Sequence, residues 1–230
     1  MEIIARIRNA FPTKFGLPRQ SGLVPEVVST IVFEPEYRVA EALRGITDYS
    51  HLWLIWGFHQ AVREGEGQTW RPTVRPPRLG GNTRMGVFAT RSPFRPNPLG
   101  LTVVQLLSME ASAEGKVLIV SGADMMDGTP IYDIKPYLPY VDSIPQARGG
   151  FTTAAAEYRL TVDIPPDIEA RIPADMRGAL RGVLAQDPRP AYQHDEDRVY
   201  GLPYGRWDVR FTVKDGVLTV TDIVEGGDTP

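Results

Sequence analysis

The chain has 230 residues, of which 42% are hydrophobic and 23% charged, a balance that sustains a buried core and excludes a disordered chain. Its net charge of −3 divides unevenly, residues 1–110 summing to +4 and residues 111–230 to −7. Cysteine is absent and the three histidines, His51, His59 and His194, are not spaced as a ligating pair, so disulfides, thiolate chemistry and a cysteine zinc site are excluded and no metal is expected.

Residues 27–33 alternate and are β-branched, which predicts a strand. A helix is predicted over 35–44: Pro35 lies near its start, Val39, Leu43 and Ile46 share a face, and Gly45 can close it. The apolar and aromatic run 50–59 is short enough to predict a buried strand, with His51, Trp53, Ile55, Gly57 and His59 on one side. Further strands are predicted at 85–90, 101–107, 117–122 and 131–136, with little room for helices between them. Short strands on tight links argue for an antiparallel sheet or barrel and against a doubly wound nucleotide fold, and no GxGxxG or GxxxxGK[ST] string occurs. The longest apolar run, 52–58, is well short of the roughly 20 residues that span a bilayer. The N-terminal segment shows no signal-peptide pattern, so no membrane partner and a cytoplasmic location are expected.

The character changes after Gly149-Gly150. A strand is predicted at 158–164, a helix at 174–186, and a hairpin pairing 208–213 with 217–222 across Lys214-Asp215-Gly216. The expectation is a mainly β protein: an antiparallel β-barrel domain over residues 1–150 and a small α+β domain over 151–230. The smaller unit lies near the practical lower limit for folding alone, so it is expected to dock on the larger.

Four segments are richer in Gly, Pro, Arg, Asn and Asp than packing requires: 14–20 (KFGLPRQ), 75–82 (RPPRLGGN), 88–101 (FATRSPFRPNPLGL) and 127–136 (DGTPIYDIKP). Any one could be a barrel corner. Four together favour a site that holds a small polar ligand through exposed main-chain groups. The window 67–109 also holds Arg71, Arg75, Arg78, Arg84, Arg91 and Arg95 with no lysine and no acid. Arginine without local carboxylates is free for an anionic partner, whereas a merely solvated face mixes signs.

The strings FGLPRQ, YSHLWLIWGFHQ, RPPRLGGNTRMGVFATRSPFRPNPLGL and DGTPIYDIKPYLPYVD, with DPRPAY at 187–192, resemble the signature segments of the TsaA-like family of tRNA methyltransferases. The resemblance covers nearly the whole chain. It implies an S-adenosylmethionine-dependent enzyme built on an antiparallel β-barrel and working as a homodimer. The implied substrate is the tRNA anticodon stem-loop, methylated at N6 of threonylcarbamoyladenosine at position 37.

Carried over by the resemblance, cofactor contacts fall on Pro18, Arg19 and Gln20, and on His59 and Gln60. Arg91 and Leu101 follow, and then Asp127, Gly128, Thr129 and Pro130. The chemistry agrees, since arginine can fork onto the cofactor carboxylate and carboxylate or amide groups suit its ammonium and hydroxyls. The acceptor is a urea-type nitrogen, so a base helps, and His59 and Asp133 are the catalytic candidates. Arg75, Arg78 and Arg84 are the candidate phosphate track.

Asp187, Arg189 and Tyr192 are candidate RNA contacts, although DPRPAY also reads as a connector in which Arg189 pairs with Asp187. His59 also reads as a satisfied core histidine, and Asp127-Gly128 as an ordinary turn. Two other functions remain open: methyl transfer to another RNA or a small molecule, and a non-catalytic RNA-binding barrel. The second would show exposed aromatics interleaved with basic residues, a pattern weak in the sequence.

Overall fold

A computed structural model describes residues 1–59, 70–76, 79, 82–155, 158–189 and 195–226. The chain is mainly β. In order it forms β1 (Ala5–Arg8), β2 (Val28–Phe33), β3 (His51–Gly57), β4 (Thr73–Val74), β5 (Met85–Gly86), β6 (Leu99–Ser112), β7 (Gly115–Ser121) and β8 (Pro130–Pro136). A short α1 (Pro139–Asp142) and β9 (Thr161–Asp163) follow, then α2 (Pro166–Glu169), α3 (Ala174–Ala185), β10 (Tyr200–Tyr204), β11 (Trp207–Lys214) and β12 (Val217–Glu225).

Six strands close on themselves in the order β1-β2-β7-β6-β3-β8, every pair antiparallel. Alternation drives this closure: in β3, Leu52, Leu54 and Trp56 point inward and are buried, while His51, Trp53 and Ile55 are only half-buried. Ile7, Ile31, Leu118, Val120 and Ile131 join them inside. Each such side chain contributes about 1.5–3 kcal/mol on leaving water. Register shifts at Ile55/Trp56 and Leu106/Ser108 add the local bend that a closed sheet needs. Closure is uneven, because β3 and β6 pair over seven rungs whereas β1 and β8 pair over two, Ala5↔Ile131 and Arg6↔Pro130.

Antiparallel neighbours send alternate connections to opposite ends. Segments 9–27, 58–98 and 122–129 therefore leave the ring at one end, and 34–50 and 113–114 at the other. The four Gly- and Pro-rich segments of the sequence all begin in, or run through, the first set.

The second core packs α2 and α3 against a sheet of order β10-β11-β12-β9. Ala179, Leu180, Val183 and Leu184 are the buried stripe of α3. This core also takes in Phe11, Val24 and Val27 from the β1–β2 connection, and the Gly205 amide donates to the Ala10 carbonyl at 2.7 Å. The two units therefore share apolar packing.

Three expectations change. The predicted helix over 35–44 is instead two 3-10 turns, Pro35–Tyr37 and Ala40–Leu43, separated by an extended Val39. Of its would-be apolar face, Leu43 is buried in the ring core and Ile46 packs against it, but Val39 is exposed, and so little packing leaves a short helix marginal. The strand predicted at 85–90 ends at Gly86 and turns into a 3-10 segment, Val87–Ala89, that buries Val87. In the smaller sheet β9 runs parallel to β12, a pairing reached through the intervening helices, so the scaffold is not wholly antiparallel.

Candidate active site

At the end of the ring where the three connections meet, Trp56 closes the inward row of β3 and faces Gly100 of β6 in register. A Cβ at position 100 would overlap the indole, so glycine is what lets the ring lie across β6. The indole N–H donates to Thr102 Oγ1 at 2.9 Å, and the Thr102 hydroxyl donates to Asp124 Oδ1 at 2.8 Å. Burial pushes the Asp124 carboxyl up, opposed in part by the Thr102 hydroxyl, backbone amides that include that of Ser21, and the Arg91 charge.

Asp124 is thus a partly desolvated carboxylate where all three connections contribute. It was not among the sequence candidates; the available signal was a lone acid in the otherwise uncharged run 117–126, VLIVSGADMM.

The predicted residues Gln20 and Arg91 meet here. The Arg91 guanidinium donates to Gln20 Oε1, the Gln20 amide donates to the Arg19 carbonyl, and Arg19 Nη2 donates to the Asp187 carbonyl at 3.0 Å. Pro18 is buried just before them. Asp187 has a left-handed backbone, φ 52°, and its carboxylate accepts Arg189 at 2.8 and 3.0 Å and the Tyr158 hydroxyl at 3.1 Å. Burial alone would push this carboxyl up, but the Arg189 bonds bring it below its usual range. Asp187 and Arg189 are buried against each other, the local pairing that one reading of DPRPAY anticipates.

A second group occupies the β3–β8–β1 corner of the same end. His59 stands at the rim, its imidazole held below the usual range by partial burial and then by the Arg6 charge. Arg6 donates to the Gly128 carbonyl at 3.3 Å and to Glu34 at 2.8 Å. Asp127 and Gly128 form a turn laid on β1: the Asn9 amide donates to Asp127 Oδ1 at 2.9 Å and the Gly128 amide to the Ile7 carbonyl at 2.8 Å. Thr129 and Pro130 are buried beneath it. An outer-face cavity of about 210 Å3 adjoins this turn, lined in part by Arg6, Arg8, Asp127 and Gly128.

Asp133 and Leu101 lie elsewhere. They flank Ile55 in register on the outer face, with Leu101 exposed and Asp133 paired to Lys135 at 2.9 Å. That places Asp133 four residues back along β3 from His59, on the order of 10 Å. Arg75 and Arg84 are exposed and follow the Val74↔Met85 rung of the β4–β5 hairpin, so they stand side by side. Gln60, Arg78 and Tyr192 lie outside the described residues. Among the described residues there is no cluster of metal-ligating side chains and no helix long and apolar enough to cross a membrane.

Comparison with known proteins agrees along most of the chain. Residues 6–143 match the family model described as the tRNA-methyltransferase O N-terminal domain, and residues 157–226 match the TrmO C-terminal domain. The chain is 42% identical over 229 residues to the tRNA (adenine(37)-N6)-methyltransferase of Escherichia coli strain K12, covering 95% of each. A Pseudomonas aeruginosa relative named "Putative S-adenosylmethionine-dependent methyltransferase RcsF" is 40% identical, covering 98% of this chain and 97% of that one. The crystal structure of TrmO from Pseudomonas aeruginosa superimposes with a TM-score of 0.77 at 32% identity, covering 97% of this chain and 96% of that one. With both domain models satisfied in one chain, this protein belongs to the tRNA-methyltransferase O family.

Proposed function

We propose that this protein is an S-adenosylmethionine-dependent methyltransferase acting on N6 of adenine 37 of tRNA, and that the adenosine it accepts carries a threonylcarbamoyl group. The observation that carries this reading is the convergence of three sequence-distant connections, in a chain of this family, at one end of the closed ring. On this reading residues 1–150 are the methyltransferase barrel and 151–230 the smaller α+β domain.

The donor set suits the cofactor. Asp124 offers a partly desolvated carboxylate for a cationic ammonium, Arg91 offers a fork for a carboxylate, and Gln20 offers an amide for hydroxyls. Asp127, Gly128, Thr129 and Pro130, whose turn keeps its amides bonded within the fold, are the proposed cofactor contacts at the second corner with His59 and Gln60. Pro18 and Arg19 are those beside Gln20, and Leu101, on the outer face, would reach a cofactor only across a contact between two copies. When bound, S-adenosylmethionine supplies an activated methyl group on a positively charged sulfur. The chain's own task is to hold the acceptor nitrogen in line at about 3–3.5 Å and to take its proton.

His59 is the base we favour, because its lowered pKa leaves a neutral imidazole near pH 7. Asp133, the other candidate, would have to leave Lys135 to serve. Arg75, Arg78 and Arg84 form the phosphate track of the anticodon arm. Asp187, Arg189 and Tyr192 are the tRNA contacts of the smaller domain, and the Asp187 carbonyl also braces Arg19.

The chain works in the cytoplasm as a homodimer. Exposed Leu101 and Leu107 on the outer face of β6, and Tyr140, Val141 and Ile144 at α1, supply apolar area for a second copy, which sedimentation at micromolar concentration would detect.

Nucleoside mass spectrometry of cells lacking the protein tests the whole reading. The N6-methylated threonylcarbamoyladenosine is expected to vanish while its unmethylated precursor persists; retention of the methylated nucleoside would overturn it. In vitro, His59→Ala is expected to lower the single-turnover rate by about 100-fold or more with a smaller loss of cofactor affinity. The wild-type rate should rise with pH and level off at a lower pH than an unperturbed imidazole would set. Equal losses in rate and affinity would remove the base role.

A further inference from the structure

The segment 70–98 carries two arginine–aromatic pairs that the cofactor site does not use. Val87 is buried and its amide donates to the Pro72 carbonyl at 3.0 Å, anchoring the strip to the β4–β5 hairpin. The next residue, Phe88, therefore points away from the core and is 73% exposed. The Arg95 guanidinium lies 5.7 Å from the centre of the Phe88 ring and is itself fixed by the Thr90 carbonyl at 2.7 Å and the Val87 carbonyl at 3.3 Å. Arg71 covers the partly exposed Phe94 in the same way at 5.3 Å, and its amide donates to the Phe94 carbonyl at 3.2 Å.

Leaving a phenylalanine this open costs hydrophobic free energy, and an anchored guanidinium occupies only one face of its ring. The free face, beside arginines in a stretch without acids, matches a flat aromatic group attached to a polyanion. We propose that Phe88, backed by Arg95, is a stacking platform for an unpaired base of the anticodon loop, with Phe94 and Arg71 as a second and less open one. The proposal rests on the tRNA reading above and deepens it. A second copy of this chain is the other occupant to weigh. A two-fold contact centred here would set arginine against arginine, whereas phosphates neutralise that charge. Phe88 lies three residues before Arg91, so a stacked base would sit next to the cofactor loops.

The test uses the full chain and an anticodon stem-loop RNA with 2-aminopurine beside the target adenosine. The wild type is expected to quench this fluorophore on binding. Phe88→Ala should abolish the quench and weaken RNA binding by about tenfold, with the slope of log affinity against log salt unchanged, because stacking releases no counterions. Phe88→Trp should restore both. A double Arg75→Ala/Arg84→Ala variant provides the ionic reference: its salt slope is expected to fall by about two while the quench survives.

Unchanged affinity and quench in Phe88→Ala would overturn the platform. So would an equal loss of S-adenosylmethionine affinity measured by calorimetry, or dissociation of a dimer in sedimentation, which would assign the surface to a second copy. Failure of the parent reading is separable, since it appears as wild-type protein that does not methylate tRNA.

Discussion

Asp124→Asn is expected to melt about 3 °C above the wild type at pH 7 while binding S-adenosylmethionine at least tenfold more weakly. Burial pushes the Asp124 carboxyl above its ordinary range, so the native state binds its proton more tightly than the unfolded chain does. Stability therefore falls as pH rises through the interval between the ordinary and the raised value, and at neutral pH the ionised group opposes folding in full. An amide removes that cost and still accepts the Thr102 hydroxyl. The gain should be complete at pH 7 and vanish below the ordinary carboxylate range. Binding moves the other way, because the amide offers no charge to a cationic ligand. Thermal melts at several pH values, paired with calorimetry, check both. A lower melting temperature with unchanged cofactor affinity would make Asp124 a structural residue.

Gly100→Ala should be the most damaging single methyl in the ring, lowering stability by about 1–3 kcal/mol and the melting temperature by several degrees. The added Cβ falls within the Trp56 indole, which is buried, packs on Phe58 at 4.4 Å between ring centres and donates to Thr102. Displacing the indole removes a donor from Thr102 and loosens the hydroxyl that holds Asp124. Cofactor affinity is thus expected to fall together with stability, in contrast to Asp124→Asn. Loss of tryptophan ellipticity in the near ultraviolet would report the movement. A variant with wild-type melting and ellipticity would show that the ring has room after all.

Local patterns that decide their own burial were legible in the sequence. The alternation of residues 27–33 and 50–59, the hairpin around Asp215-Gly216 and the helix from Ala174 all form where periodicity places them. The four odd segments also begin in or run through connections at one end of the ring, because turn chemistry and exposed polar groups are written locally. What stayed hidden depends on distant partners. Asp124 gains its character from Thr102, 22 residues away, and from Ser21 and Arg91 on two other connections. The stretch from Pro35 has helical spacing but seats only Leu43 and Ile46 of its apolar face on the core and leaves Val39 exposed, so packing overrides pattern. β9 finds β12 in parallel only after the helices have carried the chain across, a pairing that no short window contains. The arginine–phenylalanine pairs needed the 70–98 strip to fold back on itself before they could be seen.

The uneven closure of the ring has its own consequence. β1 meets β8 over two rungs, one of them facing Pro130, which has no N–H to give, with the Ile4 and Ile7 amides donating to the Ile131 and Thr129 carbonyls beside them. This seam is where the cylinder should breathe first, so amides at residues 4–7 are expected to exchange with deuterium faster than those of β3 and β6. Because the seam borders the turn at Gly128, a ligand resting on that turn would act as a clasp, slowing exchange along β1.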